Sequence, residues 1–106
     1  MTSLSGHKQA NMATRRLLAE IYCDLNGQVR DRGYSLELTG SVDSFAKLGL
    51  TLEAVVGKQF SFYMGDMNER NEPDDLMFDG FVVSDPQLGY FALAEGDFYW
   101  RSERRD

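Results

Sequence analysis

KQFSFYMGDMNERNEPDDLMFDGFVVSDPQLGYFALAEGDFYWRS, residues 58–102, carries the strongest structural signal in this chain. Its apolar segments are short enough to be strands, and residues with turn chemistry separate them. The strands are predicted at Lys58–Met64, Leu76–Ser84, Leu88–Ala94 and Asp97–Ser102. Because consecutive strands with short connections usually pair antiparallel, this half of the chain is predicted to form a meander.

The segment before the meander has the spacing of an amphipathic helix. Its apolar residues follow the i, i+3, i+4, i+7, i+11 pattern of one helical face: Leu18, Ile21, Tyr22, Leu25 and Val29. This pattern predicts a helix from about Gln9 to Arg32. Gly33 then suits the left-handed position at which many helices end.

Short elements are predicted between this helix and the meander. Tyr34–Thr39 alternates apolar and polar residues, which is typical of a half-buried strand. Two short helices follow at Val42–Leu48 and Leu52–Val56, with Ser41 and Thr51 as their predicted N-caps. We expect these two helices to cover one end of the sheet.

The predicted fold class is α+β, with one long N-terminal amphipathic helix packed on a curved antiparallel meander of four or five strands. Residues 1–9 are predicted to be a flexible lead, and residues 10–106 a single α+β domain, since 106 residues hold only one core. A meander with a long first hairpin loop resembles small SH3-like barrels in general shape, although no motif specifies that class.

The predicted strands carry apolar residues on both faces, which is more than one helix can cover. Leu76–Phe78, Phe81–Val83 and Phe98–Trp100 show this most clearly. The excess apolar surface is consistent with closure of the sheet into a small barrel, with a homodimer, or with a surface for another protein. The sequence leaves these three explanations open.

The segment Asp66–Asp79 concentrates negative charge on the predicted first hairpin of the meander. It contains six carboxylates and one arginine: Asp66, Glu69, Glu72, Asp74, Asp75, Asp79 and Arg70. The alternation resembles an EF-hand calcium loop, but Arg70, Asn71 and Met77 occupy positions that require a ligand, a glycine and a glutamate. The segment is therefore predicted to be an exposed hairpin loop, with a looser divalent-cation site as the alternative.

Residues for catalysis or cofactor binding are sparse in this sequence. His7 lies in the predicted flexible lead, and the glycines do not form a phosphate-binding loop. On the predicted helix Cys23 lies near Arg16 and Arg30, which would lower the pKa of a thiol, although it is better explained as a small packing residue. We predict no catalytic residues, no cofactor and no metal site, and we expect that the protein is not an enzyme.

Composition restricts the class of partner. The formal net charge is −6 and the pI is about 4.7, which argues against nucleic-acid binding because phosphate contacts need clustered basic residues. The single cysteine allows no intramolecular disulfide, and no apolar run is long enough for a membrane span. A cytoplasmic location is the expectation.

These observations predict a small, acidic, non-enzymatic interaction module that acts as an adaptor, regulator or inhibitor. Its partner would be another protein with a basic surface, and a homodimer is a further possibility. The predicted partner-binding residues are the hairpin acids and two aromatics of the sheet: Asp66, Glu69, Glu72, Asp74, Asp75, Tyr63 and Phe81. The alternative function is binding of a small ligand or divalent cation by the same carboxylates.

Overall fold

The computed structural model describes residues 18–104 and shows a sheet-rich chain. Its strands are β1 (Glu20–Tyr22), β2 (Gln28–Arg30), β3 (Gly33–Ser35), β4 (Gln59–Met67), β5 (Pro73–Asp85) and β6 (Gly89–Trp100). Two helices, α1 (Thr39–Lys47) and α2 (Leu52–Val55), lie between β3 and β4. Short 3-10 turns occupy Leu25–Gly27 and Arg101–Glu103.

The six strands form one mixed sheet in the order β1-β4-β5-β6-β3-β2. Strand β1 runs parallel to β4, and every other neighbouring pair in this sheet is antiparallel. The antiparallel meander predicted for the second half of the chain is present as β4–β5–β6, but it has three strands where four were predicted. The two segments predicted at Leu88–Ala94 and Asp97–Ser102 are one strand, β6, which continues through a bulge at Gly96, where φ is 78°.

The predicted fold class is wrong, because the structure has no long N-terminal helix. Residues 18–32 instead form β1, a 3-10 turn, β2 and a tight turn, and residues 9–17 of the predicted helix lie outside the described part, as does the predicted lead 1–9. The 9-residue α1 is the longest helix among residues 18–104. The fold is therefore mainly β.

The helix prediction failed because the apolar spacing of this segment also suits a strand. Ile21 and Cys23 alternate with Tyr22, and both are fully buried when the segment is extended. The backbone N–H of Cys23 donates to the carbonyl of Tyr63 in β4. After β1 the Asp24 side chain accepts from the N–H of Asn26, a local bond that favours a turn over a helix.

The predictions for the connecting elements were better. Thr51 caps α2 as expected, since its hydroxyl accepts from the N–H of Ala54 at 3.3 Å. Helix α1 begins at Thr39, earlier than predicted, so Ser41 lies inside it and is not the cap. Its buried hydroxyl donates instead to the carbonyl of Tyr22, which satisfies a backbone group on the outer edge of β1.

The sheet must curl, because its two edge strands are consecutive in the chain. Strands β1 and β2 lie at opposite edges, yet only residues 23–27 join them. A flat sheet of six strands would be about 24 Å wide, whereas the six Cα–Cα steps from Tyr22 to Gln28 span at most about 22 Å when fully extended. The edges therefore approach each other, and the concave side encloses the apolar core.

Aromatic side chains fill this core from one end to the other. Phe45 of α1 contacts Phe60 with ring centroids 5.2 Å apart, and Phe60 contacts Phe62 at 6.2 Å. Phe62 stacks on its cross-strand partner Phe78 at 5.1 Å, and Phe78 packs against Phe98 at 5.1 Å. This row joins α1 to three strands of the sheet and is the main internal support of the fold.

Candidate functional site

The acidic segment forms a β-hairpin arm rather than a long loop. Strand pairing continues outward through Gly65 opposite Asp75, Asp66 opposite Asp74 and Met67 opposite Pro73. Only residues 68–72 form the turn, which is shorter than the predicted loop. We call residues 65–75 the hairpin arm. The extended pairing places its carboxylates on defined strand positions.

Asn68 organises the turn at the end of the arm. Its side-chain carbonyl accepts from the N–H groups of Arg70 and Glu72, at 2.9 and 3.1 Å. Its own N–H donates to the carbonyl of Glu72, and Asn71 adopts the left-handed conformation with φ of 62°. Asparagine is favoured at this position because its short side-chain amide can form hydrogen bonds with nearby backbone groups.

The C-terminal turn Arg101–Glu103 fastens the arm to the rest of the sheet. The Ser102 hydroxyl donates to Oδ2 of Asp74 at 2.6 Å, and the Arg101 Nε donates to Oδ2 of Asp75 at 2.7 Å. Arg101 also forms an ion pair with Glu20 of β1 at 2.9 Å. One guanidinium therefore links the edge strand to the arm, and it lies 5.4 Å from the ring centre of Tyr63.

These contacts lower the pKa of several carboxyl groups in the region. The pKa of Glu20 falls chiefly through its hydrogen bond with Arg101, and that of Asp74 chiefly through its hydrogen bond with Ser102. The pKa of Glu72 falls because of its hydrogen bond with Arg70, which lies 3.0 Å away. These carboxyl groups are ionised at neutral pH, and each accepts a hydrogen bond from another group of the protein.

The six carboxylates of Asp66–Asp79 therefore divide into two groups. Glu72, Asp74 and Asp75 hold the arm together through the contacts above, and Asp79 accepts from Ser61 and Tyr99. Asp66 is exposed and accepts only from the N–H of Met67, while Glu69 is exposed and has no hydrogen bond or ion pair within residues 18–104. Among the predicted acids, Asp66 and Glu69 are the ones available to a partner.

The predicted aromatic residues do not share a surface with the arm. Tyr63 is half-buried between Arg101 and the ring of Tyr22, whose centroid is 5.7 Å away. Phe81 is 37% exposed but lies four residues along β5 from Met77, the cross-strand partner of Tyr63. Four residues of strand span about 13 Å, so the prediction of one continuous aromatic face is not supported by this geometry.

The C-terminal end of the described chain covers part of the face of the sheet that lies opposite the aromatic core. Met77 points away from the core but is fully buried, and the sulfur accepts from the Arg104 guanidinium at 3.7 Å. Beside it, the Tyr99 hydroxyl donates to Asp79 at 2.7 Å, and burial raises the pKa of Tyr99. Sequence patterns did not reveal this cover, because it joins residues about 25 positions apart.

Apolar surface remains exposed at the helices and on the arm. The large apolar side chains that are exposed are Leu38, Val42, Leu48, Val56, Met67, Phe81 and Leu88. Met67 is 50% exposed and lies next to Asp66 on the arm. A separate groove of about 500 Å³ lies between α1 and α2, and sequence analysis did not identify it.

Potential metal ligands do not cluster in the described part of the chain. Within residues 18–104, no three side chains of histidine, cysteine, aspartate or glutamate come close enough to hold a metal ion. Cys23 is fully buried, and burial raises the pKa of its thiol to about 12. The lowering of this pKa expected from nearby arginines is therefore not seen for Arg30, and Arg16 lies outside the described residues. His7 lies outside the described residues.

The chain was compared with protein-family models, with curated proteins and with solved structures. No family model, no curated protein and no solved structure matches it. Among residues 18–104, no helix has the length and apolar character needed to cross a membrane.

Replacing Arg101 with glutamine should detach the C-terminal turn from both of its acidic partners. We expect the free energy of unfolding to fall by about 1–2 kcal/mol, a modest value because the side chain is 37% exposed and solvent screens its ion pairs. Urea unfolding at low and high salt measures this loss. The control is Lys58→Gln, which removes the same charge from an exposed side chain and should cost much less; equal losses would contradict the proposed link.

Proposed function

We propose that this protein is a non-enzymatic interaction module whose hairpin arm binds a basic surface on another protein. The observation that carries the proposal is that Asp66 and Glu69 are exposed and form no ion pair with a basic residue within residues 18–104. They lie on an arm that Ser102 and Arg101 hold in place. An adaptor, a regulator or an inhibitor would each use such a surface.

The charge of the described part of the chain supports a basic partner. Residues 18–104 contain sixteen of the seventeen acidic residues but only seven of the eleven basic ones. A strongly negative body attracts a positive surface over several ångströms and accelerates the encounter. Water and salt screen such attraction, so binding should weaken as the ionic strength rises.

Apolar contact would supply further affinity once the charges have oriented the partner. Met67 offers an exposed, adaptable side chain next to Asp66. Neither Tyr63 nor Phe81 is placed to serve with it, since one is packed beneath Arg101 and the other lies far along β5. The proposed surface is therefore smaller than the one predicted from the sequence.

We place this module in the cytoplasm as part of the same proposal. Its single cysteine is buried as a free thiol, and a small domain that holds its shape without disulfides suits a reducing compartment. A homodimer that uses the arm would be a special case, in which the second copy supplies the basic surface. Light scattering of the purified protein distinguishes that case.

The double variant Asp66→Asn/Glu69→Gln tests the proposal. The immobilised wild-type protein and the variant would each capture proteins from the native host, and mass spectrometry would identify those lost with the variant. For a purified partner found in this way, we expect the variant to bind about tenfold more weakly at low salt, mainly through slower association. Glu72, Asp74 and Asp75 are poorer choices, because their substitution would also loosen the arm.

The matched control is Asp43→Asn/Glu53→Gln, which removes the same two charges from the exposed surface of the helices. It should retain the affinity of the wild-type protein within about twofold. If both double variants lose the same amount of binding, net charge alone explains the attraction and the arm is not the site. If neither loses binding, the partner uses another surface and the proposal fails.

A further inference from the structure

A polar cleft lies between the end of the hairpin arm and the C-terminal turn. Its volume is about 460 Å³, and its walls are formed by Asn68, Glu69, Arg70, Trp100, Ser102 and Glu103. The two sides belong to segments about 30 residues apart in the chain. The hydrogen bonds from Ser102 to Asp74 hold them together, so the cleft is part of the folded structure rather than of one loop.

Most polar groups in this cleft are already bonded to protein. The Asn68 amide bonds Asp74 and the backbone of the turn, the Ser102 hydroxyl donates to Asp74, and the Arg70 guanidinium is paired with Glu72. These groups build the walls. The Asn68 amide and the Ser102 hydroxyl have little capacity left for a ligand, whereas Arg70 uses its Nε on Glu72 and its terminal NH2 groups make no hydrogen bond within residues 18–104.

The acceptor groups that remain available in the cleft are carboxylates. Glu69 has no partner within residues 18–104, and Glu103 uses only Oε1, which accepts from the N–H of Trp100 at 3.2 Å. Trp100 is half-buried, and its indole N–H makes no hydrogen bond within the described residues. Two carboxylates with free acceptor oxygens beside an aromatic ring are the groups that bind an organic cation.

We propose that this cleft binds an arginine side chain of the basic partner, with the guanidinium beside Trp100 and its N–H groups donating to Glu69 and Glu103. The inference rests on the proposed function, because it names the group of the partner that the arm would receive. A guanidinium is favoured over an ammonium, since its planar fork can pack on an indole and reach two carboxylates at once.

Trp100 makes the test direct, because it is the single tryptophan of the chain. The probe is the tripeptide acetyl-Gly-Arg-Gly-amide, titrated while the emission of Trp100 is recorded. We expect saturable binding with a dissociation constant of about 1 mM, as for one side chain. The same peptide with citrulline, which keeps the shape but loses the charge, should bind at least about tenfold more weakly.

Three substitutions test the assignment of the walls. Glu69→Gln and Glu103→Gln should each weaken binding of the arginine peptide by about threefold to tenfold. In Glu103→Gln the new side-chain carbonyl can still accept the hydrogen bond from the Trp100 backbone N–H. Arg70→Gln should strengthen binding of the peptide by about twofold to threefold, since a like charge leaves the cleft. A purely structural cleft would not produce an opposite sign for Arg70. Asp43→Asn, outside the cleft, should change nothing.

Each outcome bears on the inference. Equal binding of the arginine and citrulline peptides, or equal binding of a lysine peptide, would overturn it. So would a captured partner that depends on Asp66 but leaves the emission of Trp100 and the effect of Glu103→Gln unchanged; in that case the proposed function would stand and the cleft assignment would fall. If the arginine peptide binds saturably but no captured partner depends on the hairpin arm, the cleft assignment would stand and the proposed function would fall.

Discussion

Replacing Phe78 with alanine is expected to lower the free energy of unfolding by about 3–5 kcal/mol, the usual cost for a large aromatic in a core. Phe78 is fully buried and touches Phe62, Phe98 and Tyr34, with ring centroids between 5.1 and 5.5 Å apart. Its loss would open a cavity in the middle of the aromatic row. Because small domains are stable by only about 5–15 kcal/mol, the variant should be close to unfolded at 37 °C.

Phe81→Ala is the matched control for this experiment. Phe81 lies on the same strand but faces outward and is 37% exposed, so its truncation should cost less than about 1 kcal/mol. Urea unfolding followed by circular dichroism compares the two variants on the same scale. Similar losses for both would mean that the aromatic row does not support the sheet as described.

A second large effect is expected at alkaline pH, through Cys23. Burial raises the pKa of its thiol from the ordinary value of 9.0 to about 12 in the folded protein. Because the folded pKa exceeds the unfolded one, the stabilisation is complete below pH 9 and is lost as the pH rises toward 12. Each pH unit in this window removes about 1.4 kcal/mol, or about 4 kcal/mol in total.

Unfolding in urea between pH 7.5 and pH 10.5 measures this loss. The wild-type protein should be about 2 kcal/mol less stable at pH 10.5 than at pH 7.5 through Cys23 alone. Cys23→Ala is the control, because it keeps the tyrosines that also titrate in this range, including Tyr99. Parallel pH profiles for the two proteins would contradict the account. In the folded wild type, iodoacetamide should modify Cys23 only through unfolding, since the thiol is fully buried.

Sequence patterns predicted the positions of the central strands, although they divided β6 into two, because the signals of strands and turns are local. Alternation of apolar residues and the turn chemistry of Asp85 to Leu88 act over a few residues, and the structure contains β4, β5 and β6 near the expected positions. Thr51 was recognised as a cap for the same reason. The first element was predicted wrongly, because the spacing from Leu18 to Val29 fits a helix and also an extended chain whose backbone pairs with a distant strand.

For the candidate site too, the sequence indicated the residue types but not the contacts that they make. Its residue types were visible in the sequence, since Asp66–Asp79 is conspicuously acidic. The availability of each carboxylate was not visible, because it depends on Arg101 and Ser102, which lie 26 and 28 residues away from Asp75 and Asp74. The cleft beside Trp100 arises from the same contacts, and no local pattern indicates it.

For this protein, composition and local spacing specify an acidic chain with a strand-rich second half and a charged hairpin. Long-range contacts select the parallel pairing of β1 with β4, the burial of Cys23 and which carboxylates of the hairpin arm form no ion pair within residues 18–104. The physical reason is that backbone propensities and turns act between neighbours, whereas burial, ion pairing and strand register depend on which distant groups meet. A sixteen-to-seven excess of acids over bases in residues 18–104 would attract the proposed basic partner, and the fold determines which of these acids are exposed to it.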